Sequence, residues 1–225
     1  MGDIEPITAR EFHATEGLED WHVVGDGACL YVPTGTLTAG AGLVAAIAAL
    51  EGIDDHAPDI DLRPDGVTIR LLTYTDGYYG ISRLDVDAAR RILQVVRSLG
   101  LTPDAAGVQS VLVIPGAADP ARILPFWEAA FGYRRRADSP DEDLIDPRNR
   151  WPGLWFETMR EPRGGDGEGS VHLAVFVPVG QGQARVDAAL AAGGRIVRDA
   201  QAPAWWTLAD QAGNEVDIAT LEGRD

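Results

Sequence analysis

The chain has 225 residues, 45% of them hydrophobic, which is enough apolar material for one large core or two small ones, and two domains of about 100 residues each are the expectation. Its formal net charge of −16 leaves Arg134, Arg135 and Arg136 as the one basic cluster, so nucleic acid and anionic membrane surfaces are excluded as natural partners, both of which require clustered cations. No apolar run approaches the roughly 20 residues of a bilayer span, the start of the chain has no signal character and the single Cys29 allows no internal disulfide, so a soluble cytoplasmic protein is expected.

In the first half, the runs 21–24 (WHVV) and 28–32 (ACLYV) read as strands joined by a GDG hairpin turn. The Ala-rich stretch 37–53 reads as a helix buried against a sheet. Strands follow at 59–63 and 66–74, joined by Pro64, Asp65 and Gly66, a turn with one fixed φ and one permissive residue. The final element of this half carries Leu84, Ala88, Ile92, Val96 and Leu99 at helical spacing, opens on Ser82 with Asp85 three residues on, and stops at Gly100. The order β-β-α-β-β-α predicts an α+β layer with both helices on one face of a single sheet.

The stretch 101–107 (LTPDAAG) breaks both periodicities and reads as a linker, placing domains at 1–103 and 104–225. The second half opens with a strand at 108–115 and a helix from Asp119, with Pro120 at its first position, followed by a strand at 153–159. A second unit then runs strand 170–178, helix 184–194, and strands 195–199, 204–210 and 215–221, so that a strand-helix-strands plan occurs twice.

His56, Pro58, Asp59 and Ile60 after a helix, Thr73 at a strand end, and Gly80, Ile81 and Ser82 opening the last helix are similar in order and spacing to the pterin-4a-carbinolamine dehydratases. The resemblance covers roughly residues 6 to 100 and implies three catalytic histidines. Of these, His56 matches the first, while Ala57 and Tyr74 stand at the other two positions. Dehydrating a 4a-hydroxytetrahydropterin needs one group to protonate the departing hydroxyl and one to take a ring proton, and imidazole serves both near neutral pH. Tyrosine, with a pKa of about 10, is a poor substitute. The resemblance therefore implies a degenerate domain, with His56 and Tyr74 as the remaining catalytic candidates.

In the second half, DPARILPFWEAAFGY, LWFE, VHLAV, AGG and DQAGNEVDI together resemble the vicinal oxygen chelate superfamily, the glyoxalase and bleomycin-resistance-like proteins built from paired βαβββ modules. The resemblance implies a divalent metal (Mn, Fe, Ni, Co or Zn) held by Gln109, Glu157, His172 and Asp217, with Glu157 or Glu215 as the base and Glu215 facing the ligand. The apolar residues flanking Glu157, His172 and Asp217 fit strands that send these polar groups to one face. Trp155, Trp205 and Trp206 are candidate walls of a pocket for a planar small molecule. The reading places the main activity in this second domain, as a metal-assisted lyase, isomerase or dioxygenase. An active pterin dehydratase and a non-catalytic ligand-sequestering protein of the drug-resistance kind are the alternatives. A homodimer is expected, because both families assemble.

Overall fold

A computed structural model describes residues 4–24, 27–108, 113–158, 173–177 and 182–219. The chain divides into two compact units, 1–111 and 112–225.

The first unit begins with a short helix, α1 (Ala9–His13), closed by a reciprocal capping box in which Thr8 and Glu11 satisfy each other's backbone N–H. The sheet consists of β1 (His22–Val24), β2 (Gly27–Pro33), β3 (Asp59–Leu62) and β4 (Gly66–Leu71), all antiparallel, in the order β1-β2-β4-β3. Helix α2 (Leu37–Ala48) lies between β2 and β3 in the chain. Its Gly40 permits close approach to the sheet, since a Cβ there would sit 2.5 Å from Leu62 Cδ1. After α2, Gly52 adopts φ +69 and turns the chain into a single 3-10 turn over Ile53–His56. A hairpin of β5 (Thr73–Thr75) and β6 (Tyr78–Gly80) leads into α3 (Arg83–Ser98).

The core of this unit lies between one sheet face and the two long helices. Leu30, Val32, Val67, Ile69 and Leu71 from the strands meet Leu43 and Ile47 of α2 and Val86, Ala89, Ile92, Leu93 and Val96 of α3. Each large aliphatic side chain buried this way contributes about 1.5–3 kcal/mol. The expected β-β-α-β-β-α order is present. The structure adds two elements that the sequence reading passed over: α1, signalled by Thr8 and Glu11 at capping-box spacing, and the β5–β6 hairpin around Asp76 and Gly77. The strand expected over 66–74 breaks at Leu72 because Thr73 turns to join this hairpin.

The second unit contains β7 (Gly116–Ala117), α4 (Pro120–Phe131), β8 (Arg134–Arg135), β9 (Asp143–Ile145), β10 (Leu154–Trp155) and β11 (Glu157–Thr158). A second set follows: β12 (Leu173–Phe176), α5 (Gly182–Ala191), β13 (Arg195–Arg198), β14 (Trp205–Ala209) and β15 (Glu215–Ala219). In the second set the strands lie in the order β12-β15-β14-β13, with β12 parallel to β15. In the first set β7 runs parallel to β11, while β8, β9 and β10 form an antiparallel meander. The class is α+β, with paired βαβββ modules in this unit. Strands β8 and β9 were not foreseen, because "RRRADSPDEDLID" is too polar to show a strand period.

The two modules also share a turn. Asp146 accepts hydrogen bonds from the backbone N–H of Arg148, Arg150 and Trp151, at offsets of two, four and five residues, while Asn149 takes φ +51. Asp210 accepts from the N–H of Ala212 and Asn214, at offsets of two and four, and Gly213 takes φ +90. An acidic side chain, a left-handed residue three places on and backbone donors at offsets two and four thus recur where the third strand of each module turns into the fourth.

Candidate active site

His56 ends the 3-10 turn that Gly52 directs, and Arg91 of α3 fastens the approach by donating to the Glu51 carbonyl. The imidazole is mostly enclosed, with 19% of its side chain exposed. Its Nε2 lies 2.8 Å from Oδ1 of Asp85, which is fully buried at the first turn of α3. A carboxylate accepts, so Nε2–H is the donor, and Nδ1 is left as the ring nitrogen available to a ligand.

Asp85 is held from several sides. Its Oδ2 accepts from the Ser82 backbone N–H at 2.7 Å and from the Thr73 hydroxyl at 2.7 Å. The Thr73 and Ser82 hydroxyl oxygens lie 2.6 Å apart, and Ser82 Oγ accepts from the Leu84 N–H. With the Thr73 hydrogen committed to Asp85, Ser82 donates to Thr73. Thr73, Ser82 and Asp85 are all buried, and their polar atoms form a closed chain ending at His56. The same carboxylate completes the capping box of α3, so one residue both starts the helix and orients the histidine. In the sequence Ser82 and Asp85 mark only a helix start, and nothing local connects them with His56, which lies 29 residues earlier than Asp85.

A buried network thus orients His56. Tyr74 is placed differently. It is half-exposed, on the strand face opposite the buried Thr73, and opposes Tyr79 across the hairpin. Among the described residues no hydrogen bond joins it to His56. Tyr78 donates to the Ile81 carbonyl at 2.6 Å, bracing the turn before Ser82. Nearby, Arg70 grips Asp59 with both Nε and Nη2. Burial alone would lower its pKa, but the Asp59 hydrogen bond and charge outweigh that and raise it.

In the second unit Leu154 and Phe156 face the core while Trp155 and Glu157 face away from it. On β15, Val216 and Ile218 are buried and Glu215 and Asp217 take the other face. Asp217 accepts from the Thr207 hydroxyl at 2.6 Å, and Glu215 lies 3.7 Å from Arg198. Trp205 shares this face with Thr207, whereas Trp206 points into the core, which corrects its expected place in a ligand wall: alternation along β14 sends the two neighbours to opposite sides. Gln109 and His172 lie outside the described residues. Among the described residues, no three His, Cys, Asp or Glu side chains converge as a metal site requires. Glu157 and Asp217 are thus two carboxylates of a suitable kind on suitable faces, without a described third donor.

The family model of pterin 4 alpha carbinolamine dehydratase matches residues 5–95, the whole span that carries the His56 network. The "putative pterin-4-alpha-carbinolamine dehydratase" of Nocardia farcinica (strain IFM 10152) is 34% identical over 84 residues, covering 37% of this chain and 86% of the relative. The chain belongs to the pterin-4a-carbinolamine dehydratase family. A protein of the same description from Mycobacterium leprae (strain Br4923) is 35% identical over 80 residues, covering 35% of this chain and 82% of that one. Outside this dehydratase domain, the model of a glyoxalase-like domain matches residues 111–219.

Solved structures similar to this chain include a glyoxalase-related enzyme from Fulvimarina pelagi, at 23% identity and a TM-score of 0.37, covering 50% of this chain and 87% of that one. A glyoxalase/dioxygenase from Nostoc punctiforme has 14% identity and a TM-score of 0.40, covering 52% of this chain and 94% of that one. No helix among the described residues is long and apolar enough to cross a membrane.

Proposed function

We propose that the dehydratase domain carries out carbinolamine dehydration on a tetrahydropterin-like ring with one imidazole, His56, oriented by Asp85. The observation that supports this most is the 2.8 Å contact between His56 Nε2 and the fully buried Asp85. With Nε2 committed to Asp85, the protonated ring presents Nδ1–H to the 4a hydroxyl. The C4a–O bond breaks as the N5 lone pair forms a C=N bond, the hydroxyl leaves as water with the Nδ1 proton, and the ring is left cationic at N5–H. The neutral Nδ1 then takes the N5 proton, which yields the quinonoid dihydropterin and restores the imidazolium. Asp85 keeps its hydrogen bond with Nε2–H throughout and holds the ring in place. One histidine acting twice in sequence thus covers the two transfers that the residues at Ala57 and Tyr74 do not provide.

The test is dehydration of 4a-hydroxytetrahydropterin by the full chain, beside His56→Ala and Asp85→Asn. Positioned general acid–base catalysis is worth roughly 100- to 10,000-fold, so His56→Ala should lose a factor in that range, and Asp85→Asn should lose less and shift the pH profile. Turnover equal in wild type and His56→Ala removes this reading.

A second reading keeps the glyoxalase-like domain as a metal-assisted lyase, isomerase or dioxygenase. It is favoured by the outward placement of Glu157 and Asp217 on strands whose flanking residues are buried. Gln109, Glu157, His172 and Asp217 would hold the ion, which supplies Lewis acidity toward neighbouring substrate oxygens. Near-stoichiometric divalent metal in the purified protein, lost in His172→Ala, is the expected result. Protein that retains no Mn, Fe, Ni, Co or Zn after incubation would leave the ligand-sequestering alternative for this domain.

A further inference from the structure

The helix that carries Asp85 starts against a segment that precedes α1. Ile7 N–H donates to the Ile81 carbonyl at 2.9 Å and Arg83 N–H donates to the Glu5 carbonyl at 3.0 Å, so that Pro6 stands opposite Ser82 in an antiparallel bridge. Both bonds belong to the neighbours of this pair, and in such a pair the backbone N–H and C=O of the central residues turn away from the partner segment. Pro6, with no N–H, leaves no donor unpaired there. Ser82 turns its polar groups toward α3: its N–H donates to Asp85 Oδ2 at 2.7 Å, and its carbonyl accepts from the Asp85 N–H at 3.2 Å.

The bridge is anchored on both sides. Ile7 and Ile81 are buried in the first core. The Ile81 carbonyl also accepts from the Tyr78 hydroxyl at 2.6 Å, and Arg83 Nε lies 3.2 Å from Glu5 Oε1 in an exposed ion pair. Ser82 is fully buried, with φ −129 and ψ 179. The bridge fixes this extended backbone, and Asp85 receives the N–H that the backbone aims. The other oxygen of Asp85 meets His56 Nε2 at 2.8 Å, so the segment before α1 and the imidazole are joined by way of Ser82 and Asp85.

We infer that residues 5–7 are positioning residues for His56, acting through Ser82 and Asp85. Their effect on turnover rests on the dehydratase reading, whereas their effect on the ring rests on the hydrogen bonds alone. The experiment uses the full chain with isotopically labelled histidine rings, in which the Nε2–H signal missing from His56→Ala belongs to His56. Arg83→Pro deletes the N–H that reaches Glu5 and keeps α3, because proline suits the first position of a helix and Ser82 already has the extended backbone that precedes proline. Arg83→Ala deletes only the exposed ion pair. In Arg83→Pro the His56 Nε2–H proton should exchange with water roughly tenfold faster than in the wild type, and kcat for 4a-hydroxytetrahydropterin should fall roughly tenfold with KM unchanged. Arg83→Ala should match the wild type in both. Ile7→Ala loosens the same segment without altering α3, should act as Arg83→Pro does, and decides the matter if Arg83→Pro does not fold. An Nε2–H proton as well protected in these two variants as in the wild type overturns the inference. A wild type without turnover, whose variants still lose that protection, removes the dehydratase reading and leaves the positioning role standing.

Discussion

At the residue scale, Asp85 shows how much one buried carboxylate can organise. It accepts from the Ser82 backbone, the Thr73 hydroxyl and the His56 ring. Tyr133 offers a separate test of burial. Its hydroxyl donates to the Pro152 carbonyl at 3.0 Å, and burial, followed by the negative charge of Asp146, raises its pKa from 10 to about 12. The folded state therefore holds this proton more tightly than the unfolded one. The stabilisation is fully present below pH about 10 and is lost as pH rises toward 12. Ultraviolet titration should show a late tyrosine ionisation that is missing in Tyr133→Phe. A titration identical in both proteins would contradict its burial.

At the element scale, the acidic turns of the second unit are positions where single substitutions should be costly. Asp210 accepts from Trp127 Nε1 at 2.9 Å, from the N–H groups of Ala212 and Asn214, and from Asn214 Nδ2, which also reaches the Gly116 carbonyl. It thereby joins the β14–β15 turn to α4 and to β7. Replacing Asp210 by Ala orphans the buried Trp127 Nε1 and three partly buried donors at once and should cost about 2–4 kcal/mol in urea unfolding. Asp146→Ala leaves three backbone donors in a loop closer to solvent and should cost less, about 1–2 kcal/mol. Equal and negligible effects would mean that these turns are set by backbone geometry alone. The motif DQAGN was legible as a turn, whereas DPRNR was not recognised as its counterpart, because Asn149 replaces glycine at the left-handed position.

At the scale of the whole molecule, two separate cores imply two separable unfolding steps. Ile92 is buried in the first core and Phe126 in the second. Ile92→Ala should cost about 2–5 kcal/mol and Phe126→Ala about 3–5 kcal/mol, and calorimetry of the full chain should show each lowering a different transition. A single transition lowered equally by both would mean that the chain unfolds as one cooperative body.

The sequence alone determined the α+β class, the dehydratase-like and glyoxalase-like halves, the order of the long elements and the faces of Glu157 and Asp217. All of these follow from local periodicity, turn chemistry and motif order, which are written in consecutive residues. The tertiary structure alone decided that His56 is joined to Asp85 and through it to Thr73, that Trp206 belongs to the core while Trp205 does not, and that Asp104 bonds to Tyr31 of β2. The His56 network and the Asp104 bond each depend on residues distant in the chain meeting within hydrogen-bonding distance. For Trp205 and Trp206, a one-residue change of strand register would exchange core and outer faces, and only the packed sheet fixes that register.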